Sequence, residues 1–265
     1  MKYFDSHAHY YDERFKGDEY DGSVDDLIGA LLSSEIDGIV NVGTSPTTCR
    51  LAIEQARRYG NMYTALGVHP SDAQELDIPL DHALADIESL IKNPESKCVA
   101  LGEIGLDYHW QPVNRELQMQ YFEAQMQMAA ELDLPVVIHD RESHEDVLEM
   151  IKRHKNVRGV LHSFSGSCEM AKEVIKCGYM ISFSGTLTFT NARKPREVAA
   201  ILPHDSVLIE TDCPYLAPHP KRGTLNHSGN LVYTNAALAE IFGVSEEECA
   251  ALTRDNARRF FGIDN

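Results

Sequence analysis

Six side chains able to hold a divalent metal ion, His7, His9, Glu103, His139, His162 and Asp212, are spread over some two hundred residues, each behind a short apolar run. Residues two apart in an extended chain point the same way, so the imidazoles of His7-Ala8-His9 can face one ion. By themselves they read equally well as polar residues of a surface loop. The later positions change that balance: Glu103 ends Val99-Ala100-Leu101-Gly102, His139 ends Val136-Val137-Ile138, His162 ends Gly159-Val160-Leu161, and Asp212 follows Leu208-Ile209-Glu210-Thr211. Such mixed nitrogen and oxygen donors suit zinc, manganese, cobalt or iron, and magnesium where water and phosphate complete its shell. Four imidazoles and two carboxylates exceed one tetrahedral site, so two divalent ions per chain are expected, with Glu103 as the bridge. The chemistry expected is hydrolysis by an activated water, with Asp212 accepting its proton and Glu103 and Asp212 as the catalytic carboxylates.

Ligands this far apart in sequence meet only if the strands carrying them share one sheet or barrel. Strands are expected at 2–6, 38–42, 62–67, 98–102, 135–138, 158–161, 179–183 and 207–209. Segments with helical spacing lie between them, most clearly 115–132, where Leu117, Tyr121, Ala124, Met128 and Leu132 recur every three to four residues. Parallel strands need crossover helices, and eight such units suit a closed (β/α)8 TIM barrel, an α/β fold filling residues 1–265 as one domain. A doubly wound open sheet is the alternative, but it would struggle to bring the ends of strands one, four, five, six and eight to one point. At the C-terminal mouth of a barrel such convergence is ordinary. Ser245-Glu246-Glu247-Glu248 reads as a capping box opening a helix to about residue 261, expected on the outside of the barrel.

The formal net charge of -17 disfavours nonspecific adhesion to nucleic acid or anionic membranes. Two divalent ions set against two carboxylates would nevertheless leave the mouth locally cationic, and the diffuse surface charge is screened beyond about 8–10 Å at physiological salt. No run of eighteen apolar residues appears, and the N-terminus passes directly into polar residues, so a cytoplasmic protein without membrane contact, a monomer or weak oligomer, is expected. The six cysteines form no CxxC pair, and Cys213, beside Asp212, lacks an evident base partner.

The chain resembles the TatD family of metal-dependent deoxyribonucleases, within the amidohydrolase-like barrels. The resemblance runs through Asp5-Ser6-His7-Ala8-His9, Gly67-Val68-His69-Pro70, Gly102-Glu103-Ile104-Gly105-Leu106-Asp107-Tyr108 and Pro135-Val136-Val137-Ile138-His139. It continues through His162-Ser163-Phe164-Ser165-Gly166, the stretch from Glu210 to Pro218, and Asn256-Ala257-Arg258-Arg259-Phe260-Phe261. The resemblance implies that His7, His9, Glu103 and Asp212 hold one metal and Glu103, His139 and His162 the other. It also implies hydrolysis of phosphodiester bonds in DNA, single-stranded or at its ends. One departure stands out: Arg222-Gly223 and Asn226 are present, but Ser228-Gly229 occupy the place where proline is expected, which predicts a looser loop.

Three further residues are candidates for substrate binding. His69 ends the third strand and either contacts substrate or simply closes a turn. Arg141 offers a guanidinium fork to a phosphate oxygen, or an ordinary ion pair to Asp140 or Glu142. Arg222, with Lys221 and with Arg193-Lys194, forms a basic rim or a set of solvated charges. Trp110, following Tyr108-His109, is expected to cap the core, with base stacking as the competing role. His82, His144, His154, His204, His219 and His227 are assigned no site. Hydrolysis of another ester, a lactone or an amide by the same centre, or an inactive metal-binding accessory role, are the competing functions.

Overall fold

In the computed structural model, which describes residues 1–16 and 22–263, eight parallel strands form one sheet in sequence order. They are β1 (Tyr3–Ala8), β2 (Ile36–Val42), β3 (Met62–Leu66), β4 (Cys98–Asp107), β5 (Val136–Arg141), β6 (Gly159–Leu161), β7 (Met180–Phe183) and β8 (Val207–Ile209). Their residues are almost entirely buried, as parallel strands covered by crossover helices must be. The ring closes between β8 and β1 by a single bridge, Ala8 to Cys213, instead of a full ladder. The Asp212 N–H donates to the His7 carbonyl (2.9 Å) and the His9 N–H to the Cys213 carbonyl (2.8 Å). The fold is therefore the expected (β/α)8 barrel.

Asp5 fastens this seam. Its Oδ1 accepts the Thr211 N–H (2.9 Å), and its Oδ2 accepts the hydroxyls of Thr211 (2.6 Å) and Ser228 (2.6 Å). The Ser228 N–H in turn donates to the Tyr10 hydroxyl at 2.9 Å. The looser loop expected at Ser228-Gly229 is thus corrected: Ser228 is buried and makes bonds through both its backbone N–H and its hydroxyl, the first of which proline could not make.

The barrel interior follows the period of two. Phe4, Val40, Ala65, Ala100, Val137, Val160, Met180 and Leu208, one from each strand, form a single apolar cluster. Two residues further along β5 to β8 the inward positions turn polar: His139, His162, Ser182 and Glu210. The apolar layer is the floor on which the polar layer stands. Below it, Phe260 and Phe261 join the same cluster, with Phe261 stacked on Phe4 at 6.2 Å. The capping box at Ser245 and Glu248 is present, and the helix Glu246–Phe261 ends by plugging the bottom of the barrel, where a purely outer position was expected.

Three strands outlast their apolar runs. β4 and β5 continue through Glu103 and His139 because Gly105, Leu106 and Asp107 keep pairing with His139, Asp140 and Arg141, and β1 continues through His7 to Ala8, which pairs with Asn41 of β2. Gly105 permits this: its φ is +130°, and a Cβ there would strike the His139 carbonyl oxygen. Among the described residues no helix is long and apolar enough to cross a membrane.

Candidate metal centre

All six expected ligands meet at the C-terminal mouth of the barrel. His7 Nε2 lies 3.0 Å from His9 Nε2, 3.3 Å from Glu103 Oε2 and 3.7 Å from Asp212 Oδ1. His9 Nε2 lies 3.3 Å from Asp212 Oδ1 and 3.8 Å from Glu103 Oε2. Four donors about 2.0–2.2 Å from one ion stand about 3.3–3.6 Å apart along the tetrahedral edges, so these separations fit an ion held among them. The other Glu103 oxygen, Oε1, faces a different set, 2.9 Å from His139 Nδ1 and 2.7 Å from His162 Nε2, which are themselves 3.1 Å apart.

Most of the histidines are oriented by a partner on the far nitrogen, the arrangement that fixes tautomer and ring angle in metal sites. His9 Nδ1 donates to the Val42 carbonyl (2.8 Å), His139 Nε2 meets Asp107 Oδ2 (3.0 Å), and His162 Nδ1 meets Glu210 Oε1 (3.2 Å), whose other oxygen takes the Ser182 hydroxyl. His7 Nδ1 has no partner among the described residues, and its ring instead stacks on His162 with centroids 4.0 Å apart. Asp107 and Glu210 were not singled out from sequence. Their signal was the strand period: Glu210 is two residues from the inward Leu208 and from Asp212, and Asp107 lies four from Glu103 on one strand.

The electrostatics suit a cation. Burial opposes ionisation of Glu103, yet His162, His69 and His7 outweigh it and hold the carboxyl well below its usual range. Burial likewise opposes charge on His162, and Glu103 and Glu210 overcome it, raising that imidazole well above its ordinary value. Asp212 is lowered: burial works against the carboxylate, but hydrogen bonding to His9 and the His7 imidazole prevail. Asp107 falls to about 2, the bonds to His139 outweighing burial. Asp212 adopts φ 55°, a left-handed turn that aspartate tolerates, and this turn directs its carboxylate back over the mouth.

The comparison with known proteins agrees with this geometry. The family model described as TatD related DNase matches residues 4–262. The chain belongs to the TatD family. The Bacillus subtilis YabD protein, an uncharacterized metal-dependent hydrolase, is 38% identical over 263 residues, covering 98% of this chain and 99% of its own. The crystal structure of YjjV, a TatD homolog from Escherichia coli, superposes with TM-score 0.87 at 28% identity, covering 99% of this chain and 98% of that one. An uncharacterized amidohydrolase from Saccharomyces cerevisiae shares the fold, with TM-score 0.79 at 17% identity over 98% of this chain and 99% of its own. This TatD-family chain is accordingly a metal-dependent hydrolase.

The substrate-binding candidates of the TatD-family chain fall in different places. His69 and Arg141 line the cleft of about 810 Å³ above the six donors, together with Trp110 and Tyr215. His69 Nδ1 accepts the Ser71 N–H (3.1 Å), so its proton sits on Nε2, which points at Glu103 Oε1 (3.6 Å) as a donor. Burial depresses its pKa to about 3 and keeps it neutral. Arg141 makes no ion pair with Asp140 or Glu142; its guanidinium lies 5.3 Å over the Trp110 ring. Trp110 is 60% exposed, which overturns the expected core-capping role. Arg222 lines an adjoining groove of about 830 Å³ that shares Tyr215 and Leu216 with the cleft, and sits 4.1 Å over Phe189. Arg193 is occupied by Glu197. Cys213 is fully buried, and burial pushes its thiol far up, which leaves it no nucleophilic role.

Proposed function

We propose that this metal-dependent hydrolase is a deoxyribonuclease acting through two divalent ions, zinc, manganese or a similar metal. The observation that carries the reading is the position of Glu103, whose two carboxylate oxygens address two separate donor sets. His7, His9, Glu103 and Asp212 would hold one ion; Glu103, His139 and His162 would hold the other. When bound, such ions polarise a phosphoryl oxygen and make a nearby water more acidic. The remaining work falls to the chain. Asp212, ionised at neutral pH and one of the two most exposed of the six, accepts the proton that the attacking water loses. His69 offers its Nε2–H to a substrate oxygen, and Arg141 at the cleft wall orients the phosphate. The family description, TatD related DNase, supports DNA as the substrate.

The test takes purified, metal-assayed protein and offers it single-stranded DNA, a lactone and a cyclic amide, with and without chelator. Chelator-sensitive release of nucleotides is the expected result. Turnover of the lactone or amide with inert DNA would move the reading to another ester or amide bond, and a metal-loaded protein inert to all three would mark an accessory role.

A further inference from the structure

The two donor sets are assembled in different ways. Glu103, His139 and His162 come from β4, β5 and the end of β6, consecutive strands joined by parallel ladders. His7, His9 and Asp212 come from the two sides of the seam, at the end of β1 and in the turn after β8, where a single bridge stands in for a ladder. Strand pairing by itself sets the first group in place. The second depends on whatever holds the seam shut.

That fastening is a buried polar network with Ser228 at its centre. Ser228 Oγ donates to Asp5 Oδ2 (2.6 Å) and, with its own proton committed there, accepts the Tyr10 O–H (2.7 Å), while the Ser228 N–H donates to the same Tyr10 oxygen (2.9 Å). Asp5 also accepts the N–H and the hydroxyl of Thr211. Tyr10 is held from its other side, its N–H donating to Asn41 Oδ1 (2.9 Å) and its carbonyl accepting from Gln55 Nε2 (3.0 Å). Asn226 Nδ2 donates to the Thr211 carbonyl at 2.9 Å. Asp5, Tyr10, Asn41, Thr211, Asn226 and Ser228 are all buried, and a buried network with its bonds satisfied is rigid.

Every donor that belongs to the first set alone adjoins this network along the chain. His7 is two residues after Asp5, His9 precedes Tyr10, and Asp212 follows Thr211, whereas His139 and His162 have no chain neighbour in it. Ser228 also stands where the family resemblance leads one to expect proline, which has neither an N–H nor a hydroxyl and could make none of these side-chain and backbone bonds.

We propose that Ser228 is a positioning residue for one ion only: through Asp5 and Tyr10 it fixes the spacing of His7 and His9, on one side of the seam, from Asp212 on the other. This rests on the two-ion reading above. Ligand sets work only when held within about 0.5 Å of their productive geometry. Loss of the Ser228 hydroxyl frees the β8 turn to shift against β1, and the first set spreads, while Glu103, His139 and His162 keep their ladders.

The test measures zinc affinity of the full chain, by competition with a chromogenic chelator, in backgrounds that leave one set intact. His139→Gln removes a donor of the second set only, and Asp212→Asn a donor of the first only. Adding Ser228→Ala to His139→Gln is expected to weaken the remaining site about tenfold, and adding it to Asp212→Asn to change affinity by less than about twofold. Tyr10→Phe, which keeps the ring and loses the hydroxyl, should repeat the pattern and carries the comparison if Ser228→Ala does not fold. Far-ultraviolet dichroism at the titration temperature confirms that folded protein is compared, so a role confined to stability would move neither affinity. Weakening by the same factor in both backgrounds, or in neither, overturns this inference and leaves the two-ion reading intact. A parent chain that binds a single zinc ion overturns both.

Discussion

The far nitrogens of the histidines govern how firmly the cluster can grip an ion. Asp107 and Glu210 touch no other donor of the set, yet each fixes one candidate ligand ring. Asp107→Asn should lower divalent-ion affinity about 10- to 100-fold, measured by competition with a chromogenic chelator, with the far-ultraviolet dichroism unchanged. Asp212→Asn should lower kcat by at least about a hundredfold while the protein stays folded; activity within tenfold of the parent would remove Asp212 from proton transfer. The sign of the pH dependence follows from the shifts. His139 and His162 both carry raised pKa values, held up by their carboxylate partners, so protons compete with ions for these imidazoles more strongly than for ordinary ones. Affinity should therefore fall as pH falls, and calorimetric titrations in buffers of different ionisation enthalpy should register proton release on binding; an absence of release would contradict the raised values. The convergence of the six candidate ligands was legible in the sequence because each sits behind an apolar run. Asp107 and Glu210 were less so, because nothing in a linear reading separates a carboxylate facing a histidine from one facing solvent.

At the scale of elements, the eight strands were legible and their ends were not. Apolar runs mark where a strand is buried, but pairing with a neighbour decides how far it continues. β4 runs to Asp107 because Gly105 lets it lie close beside β5, a close approach that only a residue without Cβ allows. The loop at Ser228 was misread for a related reason. A serine-glycine pair looks permissive in one dimension, whereas here Asp5, Thr211 and Tyr10 arrive from distant parts of the chain to fasten it. Ser228→Ala should cost about 1–3 kcal/mol of stability, because Asp5 Oδ2 loses a buried donor, and the urea midpoint should fall accordingly. No change in midpoint would show that the seam is held by backbone contacts alone.

For the whole molecule, the candidate ligands belong to β1, β4, β5, the end of β6 and the turn after β8, so bound ions would tie together parts of the ring on both sides of the seam. An ion bound only by the folded state stabilises it by about 4 kcal/mol at a thousand times its Kd. Chelation should accordingly lower Tm by several degrees, and a Tm insensitive to chelator would argue against tight resident metal. The net charge of -17 disfavoured a nucleic-acid substrate when spread evenly over the chain. Placement changes its meaning, since Arg14, Arg141 and Arg222 lie over aromatic rings at the mouth and have no ion pair among the described residues.

The phenylalanine plug carries a consequence for biosynthesis. Phe260 and Phe261 leave the ribosome about 250 residues after Phe4, yet they join the same cluster. A nascent chain therefore carries a barrel open at its base until Phe261 has emerged, its innermost apolar layer accessible to water and to chaperones. A premature stop just before Glu246 would remove the plug while sparing all six candidate ligands. Such a product should be recovered chiefly as aggregate or proteolytic fragments, its chemistry complete on paper and lost for want of a floor.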